Sequence, residues 1–169
     1  DVTLEVAGEM ADGVMIATYA DPQAIEEAVD LVAKGAARSG RSVKDLRLMV
    51  RVDTCVHDDP PQAYDGARLM IAKLLWASYP DRRFLQRMGL QVPEPIESKL
   101  AEREYGVIDE VASAIPDAFV ARLSWSGTPE TIAERVASVI ATTAVREIGF
   151  WILPAPGQSL ETAVQTVAT

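Results

Sequence analysis

One cysteine, Cys55, and one histidine, His57, occur in 169 residues. A lone cysteine excludes an internal disulfide, and with a single histidine it leaves too few soft ligands for a closed zinc site. The expectation is a protein of the reducing cytoplasm without a metal. Long apolar runs are also missing. None approaches the roughly 20 residues that span a bilayer as a helix. The first residues hold no basic segment followed by an apolar one, so neither membrane insertion nor secretion is expected. Basic residues are outnumbered, 16 against 25, and the net charge of −9 repels phosphodiester backbones and anionic headgroups, which argues against nucleic-acid and membrane partners. No Ser-His-Asp arrangement, P-loop or metal cluster is present. His57 stands among aspartates in a polar bend that suits solvent, and Cys55 has no neighbouring base and reads as buried. No catalytic residue is assigned.

What the chain does hold is apolar material: 49% of its residues are hydrophobic, enough in a chain of this length for one soluble globular domain, residues 1–169, with a real core. A unit of apolar run, polar bend and capped amphipathic helix recurs three times. The first runs from Asp12 through Val14, Met15 and Ile16, bends at Thr18-Tyr19-Ala20, and enters a helix behind Asp21-Pro22, a cap followed by a proline where no N–H is needed. Ile25, Ala28, Val29, Val32 and Ala36 form its buried stripe, which ends near Gly40. The second begins at Leu46, with Leu48, Val50, Val52 and Val56, passes His57-Asp58-Asp59, and enters a helix at Pro60-Pro61 whose buried face is marked by Ala63, Ala67, Met70, Ile71 and Leu74. The third is Ile148 to Leu153, a turn Pro154-Ala155-Pro156-Gly157, and a helix capped by Ser159. A further helix opens at Ser126-Gly127-Thr128-Pro129-Glu130, with Ile132, Val136, Val139 and Ile140 on one side. Strands alternating with helices predict an α/β fold with parallel pairing.

Residues 78–125 break this rhythm with Pro80, Pro93, Pro95, Pro116 and short helical patterns such as Asp109 to Ile115. An insertion of this kind reads as a lid-like segment that shapes a substrate site, or as extra helices that cover the sheet.

Three strings carry a family resemblance. Leu4-Glu5-Val6-Ala7-Gly8-Glu9-Met10-Ala11-Asp12-Gly13-Val14 resembles a helix-to-strand junction of luciferase-like monooxygenases and of their deazaflavin-dependent branch, the methylenetetrahydromethanopterin reductase-like proteins. Ser126-Gly127-Thr128-Pro129-Glu130 resembles that family's Gly-Thr-Pro-Glu helix start. Glu147 to Gly157, ending Leu-Pro-Ala-Pro-Gly, resembles its final barrel strand and the following turn. The resemblance implies the C-terminal part of a TIM (β/α)8 barrel of the bacterial luciferase-like type, in which the three units are the sixth, seventh and eighth strands. Asp1 would then lie in the helix after the fifth strand, and a Gly-Pro turn for the cofactor phosphate would lie upstream of it. Activity is therefore expected of the full-length protein rather than of this stretch alone.

In such barrels the working residues sit at the C-terminal ends of strands and in the loops that follow. Thr18 and Tyr19 suit hydrogen bonding to a flavin ring or phosphate tail, or form an ordinary turn. Arg51 and Asp53, two apart on a strand, share a face and either pair with each other or contact cofactor. Gly127 and Thr128 open a helix whose N–H groups hold an anion or are simply capped. Gly157 admits close approach of a ligand or only makes a turn. Arg82 and Arg83 clamp an anionic substrate or are surface groups beside Asp81.

The resemblance implies an oxidoreductase that moves hydride between a deazaflavin, coenzyme F-420, and a small organic substrate, with the cofactor supplying the chemistry. FMN is the alternative cofactor, and a flavin-dependent monooxygenase the alternative enzyme. A non-catalytic half-barrel that binds a partner chain is the alternative from another class. Burying the open sheet requires an N-terminal half or a second copy of the chain, so a homo-oligomer is expected.

Overall fold

The structure, a computed structural model, describes residues 2–17 and 20–168. In chain order its elements are α1 (Val2–Met10), β1 (Gly13–Ile16), α2 (Pro22–Arg38), β2 (Arg47–Val56), α3 (Pro60–Ala77), α4 (Arg83–Arg87) and α5 (Glu94–Ala101). They continue with α6 (Val107–Ala112), α7 (Asp117–Leu123), β3 (Trp125–Gly127), α8 (Pro129–Thr142), β4 (Glu147–Ile152) and α9 (Leu160–Ala168). Strand β2 pairs with each of the other three strands. The chain forms two compact units, residues 1–53 with 130–151, and residues 54–129 with 152–169.

In the first unit, α2 starts where the sequence predicts. The Asp21 carboxylate accepts the Ala24 N–H at 3.2 Å, and Pro22 occupies the first turn. Ile25, Ala28, Val29, Val32 and Ala36 are buried, and the chain leaves the helix through Ser39 and a left-handed Gly40 at φ +72°. Helix α1 crosses α2 at near-contact of backbones: a Cβ on Gly8 would stand 2.1 Å from the Val32 carbonyl oxygen, and one on Gly35 would stand 1.8 Å from that of Glu5. Polar groups secure the crossing. Lys34 meets the Glu5 carboxylate at 2.7 Å, Arg38 donates to its other oxygen, and Arg41 donates to the carbonyls of Gly8, Glu9 and Ala11 at 2.8–2.9 Å. These are the acceptors a helix C-terminus leaves without intrahelical partners. Strand β1 then pairs with β2 in parallel, Gly13 opposite Arg47 through Ile16 opposite Val50. Along β2, Leu48, Val50 and Val52 are buried, while Arg47, Met49, Arg51 and Asp53 point to the other face. Strand β4 joins through Arg146 N–H to Leu48 C=O and a bidentate Arg47–Glu147 pair.

In the second unit, the end of β2 pairs in parallel with β3, Thr54 opposite Trp125 through Val56 opposite Gly127. Leu153 N–H donates to the Thr54 carbonyl at 2.8 Å. Helix α3 buries Ala63, Ala67, Ile71, Ala72 and Leu75. Its close seating depends on Gly66, where a Cβ would meet Cys55 Sγ at 2.5 Å and the Pro154 carbonyl oxygen at 2.9 Å. The segment after α3 is helical throughout its regular elements, α4 to α7. It has its own apolar interior of Leu85, Ile96, Leu100, Ile108, Phe119 and Val120, with α3 packed against α6 and α7. Arg68 anchors it, meeting Asp65 at 2.9 Å and Asp117 at 2.5 Å and donating to the Ile115 carbonyl.

Three details differ from the sequence expectations. Trp125–Gly127 is a strand, not merely a lead into the next helix; at three residues it is too short for an alternating pattern to show. The α3 stripe runs through Ala72 and Leu75, with Met70 and Leu74 only half-buried, because the inserted helices pack on that side. Ile140, expected on the buried side of α8, is exposed, and the buried contacts fall to Ile132 and Val139. Among the described residues no helix is long and apolar enough to cross a membrane, and no group of three His, Cys, Asp or Glu side chains could hold a metal ion.

Candidate functional site

The residues singled out in the sequence fall in both units. Thr18 and Tyr19 lie outside the described residues. In the first unit, Arg51 and Asp53 do share a face of β2, but their pairing is loose, with Nη2 and Oδ1 3.6 Å apart. The guanidinium instead lies over the Trp151 indole, 5.4 Å from its centroid, in cation–π range. Gly149 on β4 leaves room for this: a Cβ there would stand 4.0 Å from Arg51 Cγ and 3.4 Å from Met49 Sδ. Arg51 Nε is buried and, among the described residues, finds no hydrogen-bond partner. Burial pushes the Asp53 carboxyl above its ordinary value, and the Arg51 charge offsets this only in part. The result is a strand face that carries a buried N–H donor without an acceptor, a carboxyl group and a half-exposed indole. Trp151 was not singled out from sequence. Its signal is the alternation along β4, which puts it two residues from Gly149 on the same face.

In the second unit, the loops that follow β2 and β4 enclose a cavity of about 360 Å³, lined by His57, Asp58, Pro156, Gly157, Gln158, Thr162 and Thr166. Gly157 takes the left-handed conformation at φ +77°, and a Cβ there would meet nothing within 4 Å. The His57 N–H donates to the Gly127 carbonyl at 3.1 Å, so the buried Gly127 holds one wall of this cavity in place. The His57 ring accepts the Asp59 N–H at Nδ1, 3.0 Å away. An accepting Nδ1 carries no proton, which leaves Nε2–H as the donor. The Gln158 Oε1 accepts the Ala155 N–H at 3.0 Å, and Ser159 caps α9 by accepting the Thr162 N–H at 3.1 Å. Gln158, Thr162 and Thr166 were missed in the sequence; the spacing of two threonines one turn apart behind an N-cap is the signal that marks them.

Arg82 and Arg83 are not brought together. Arg82 turns inward to Glu97 at 3.1 Å, to the Leu75 carbonyl at 2.7 Å and to Ser78 Oγ at 2.9 Å. Arg83 turns outward and grips Asp81, whose carboxyl it draws down to about 2 by direct hydrogen bonding. Thr128 is half-buried directly ahead of α8. Burial raises the Cys55 thiol to about 11, so it is not a nucleophile near neutral pH.

A parallel sheet interleaved with helices, with polar loops after the strands, defines an α/β fold. The chain belongs to the luciferase-like monooxygenase family, whose profile matches residues 1–147. It is 28% identical over 135 residues to the 5,10-methylenetetrahydromethanopterin reductase of Methanolobus tindarius, a match that covers 79% of this chain and 40% of that protein. Among solved structures it is similar to the coenzyme F-420 dependent tetrahydromethanopterin reductase of Methanopyrus kandleri, with a TM-score of 0.83 at 20% identity over 99% of this chain and 46% of the other. It is also similar to an F-420-dependent secondary alcohol dehydrogenase in complex with an F-420-acetone adduct, with a TM-score of 0.64 at 13% identity over 96% of this chain and 43% of that one. These structural likenesses establish the fold. The chain spans about two fifths of the length of the curated relatives it matches.

Proposed function

We propose that this chain is the C-terminal part of a (β/α)8 barrel of the luciferase-like type, and that the full-length protein is a cytoplasmic oxidoreductase moving hydride between coenzyme F-420 and a small organic substrate. The observation that carries this reading is the match, over 79% of the chain, to a reductase named for 5,10-methylenetetrahydromethanopterin. The residues present fit a deazaflavin. The buried Arg51 Nε requires an acceptor, and ring carbonyl oxygens are acceptors. Gly157 leaves its backbone open to close approach. When bound, the deazaflavin supplies the hydride chemistry.

This chain's own contribution is binding and orientation. Arg51 would hold the cofactor through an N–H of its guanidinium, which rests on Trp151 and is thereby fixed in one plane. Asp53 keeps that guanidinium from swinging away. Gly127, Thr128 and Gly157 belong to the loops that would hold the rest of the cofactor. The segment 78–125 serves as a lid-like, substrate-shaping element. Within it Arg83, 81% exposed, is the arginine an anionic substrate reaches, by displacing Asp81. FMN in place of the deazaflavin, with monooxygenase chemistry, is the second reading, favoured by the family's own description.

Absorbance titration of the full-length protein with coenzyme F-420 and with FMN tests the proposal. Saturable perturbation by F-420, with bleaching when a reducing substrate is added, is the expected result. Perturbation by FMN alone supports the second reading. Silence from both leaves a non-catalytic barrel that binds a partner chain.

A further inference from the structure

We propose that His57 is a proton-operated latch on the start of α3: the neutral ring holds Asp59 by its backbone N–H, and the protonated ring lets go and turns to the Asp58 carboxylate. The inference rests on the wall of the cavity beside α3 and not on what fills it, so it stands or falls apart from the cofactor reading.

Little else holds the first turn of α3. Pro60 and Pro61 open the helix and bring no N–H, and the next two amides, Gln62 and Ala63, both donate to the Asp59 carbonyl, at 3.0 and 3.2 Å. The Asp59 carboxylate stands at the N-cap but makes no capping bond. The side chain that secures this residue is therefore His57, whose Nδ1 accepts the Asp59 N–H at 3.0 Å. The backbone of His57 is tied in turn, its N–H donating to the Gly127 carbonyl at 3.1 Å. A change at this point is thus a change in the ring.

The contact exists in one protonation state only. An imidazole that accepts at Nδ1 carries its proton on Nε2, and a second proton must go on the very nitrogen that was accepting. Two N–H groups would then face each other with no acceptor between them, and the positive end of α3 also repels a cation, so the charged ring has to leave. A partner is at hand. Asp58, exposed and next in sequence, lines the same cavity, and an ionised carboxylate takes a hydrogen bond from a cation about twice as strong as a neutral one. Among the described residues, the charged groups around the ring are those of its own loop, Asp58 and Asp59. The turn after β4 contributes Gly157 and Gln158 to the cavity and α9 contributes Thr162 and Thr166, none of them charged. Each protonation state has its own partner, a backbone amide for the imidazole and a carboxylate for the imidazolium, which is what lets a two-state element respond to one proton. His57 is the one histidine of the 169 residues, so no second imidazole in this chain competes for the role. In the neutral state the ring is part of a fixed wall. In the charged state the start of α3 loses that hold and the Asp58 carboxylate is engaged, so both the shape and the charge of the cavity wall follow pH.

The test uses the full-length protein with histidine isotope-labelled in its ring nitrogens, the His57 signals being identified by their absence in His57→Asn. Imidazole changes charge between pH 5 and 8, and spectra are taken across that window. At its upper end His57 is expected to show a bare Nδ1 and a protonated Nε2, at its lower end two protonated nitrogens, and the Asp59 amide signal is expected to move with the same midpoint. In Asp58→Asn the charged ring loses its partner, so the midpoint should fall to lower pH. Hydrogen exchange over residues 57–63, corrected for the intrinsic effect of pH, reads the hold on α3. Exchange there should be at least about fivefold faster with the ring charged, the scale of one lost hydrogen bond. In His57→Asn the amide oxygen takes the place of Nδ1 as an acceptor with no proton to gain, so exchange should stay slow at both ends of the window. A proton on Nδ1 at the upper end, an Asp59 amide that stays still while the ring titrates, or pH-dependent exchange that survives in His57→Asn would each overturn the latch. An unchanged midpoint in Asp58→Asn would overturn the exchange of partners.

Discussion

Under the proposed cofactor reading, Arg51 is the residue where stability and binding pull apart. A guanidinium with a buried, partnerless Nε carries a cost in the free protein that a bound acceptor removes. Arg51→Ala is therefore expected to weaken cofactor binding by about tenfold or more, the scale of a hydrogen bond to a charged donor, while thermal unfolding changes little. Arg51→Lys should not restore binding, because a point ammonium neither fills the Nε position nor lies flat on Trp151. Fluorescence titration of the three proteins decides it, and undiminished binding in the alanine variant would confine Arg51 to a structural role. Asp53 adds a pH dependence with a definite sign. Its carboxyl is raised in the folded state, so the native protein keeps a proton that the unfolded chain has released, and the group's contribution to stability is lost as pH rises through the folded value. Asp53→Asn should flatten that part of the stability curve, just above the ordinary Asp value of 3.8, in urea melts taken at successive pH values. Cys55, with its thiol near 11 and fully buried, should resist iodoacetamide at pH 8 and react at once in urea. The sequence showed Arg51 and Asp53 on one face because a strand's period of two is local. It did not show Trp151 beneath the guanidinium, because that contact joins residues a hundred positions apart.

At the scale of elements, what was readable in the chain follows from how far each determinant reaches. The α2 cap, its buried stripe and its glycine stop depend on neighbours within a few residues, and all three appear where Asp21, the Ile25–Ala36 pattern and Gly40 put them. The α3 stripe and the exposure of Ile140 depend on what packs against those helices from elsewhere, and there the periodicity alone misled. The crossing of α1 and α2 offers a sharp test. Because the nearest atoms to a Cβ at Gly8 or Gly35 are backbone carbonyls that cannot move aside cheaply, Gly8→Ala and Gly35→Ala should each destabilise by about 1–3 kcal/mol or more in urea titration. Gly149→Ala should be near neutral, since its closest neighbour is the flexible end of Met49. Unchanged or raised stability at Gly8 and Gly35 would mean that the two helices move apart at little cost and that the gain in helix propensity and the lower entropy of the unfolded chain outweigh the close crossing.

For the molecule as a whole, the family was legible in three short strings, while the division into two compact units was not, since units are defined by contacts that cross most of the chain. The first unit leaves Met15 and Trp151 on strands with 60% and 51% of their surface exposed, and a parallel sheet ordinarily has both faces covered. The 169-residue chain by itself is accordingly expected to self-associate. Sedimentation checks this, and a monodisperse monomer that binds no apolar dye would count against the barrel reading. Pairing at long range has a further consequence, and it concerns time. Arg47 on β2 waits for Glu147 on β4, a hundred residues later. At roughly 5–20 residues per second, a ribosome needs about 5–20 s to supply the missing strand. Throughout that interval β2 has β1 beside it but not β4, so the hazard of misassembly falls on the nascent chain between the emergence of β2 and that of β4. A slow codon placed within α8 would lengthen that exposure.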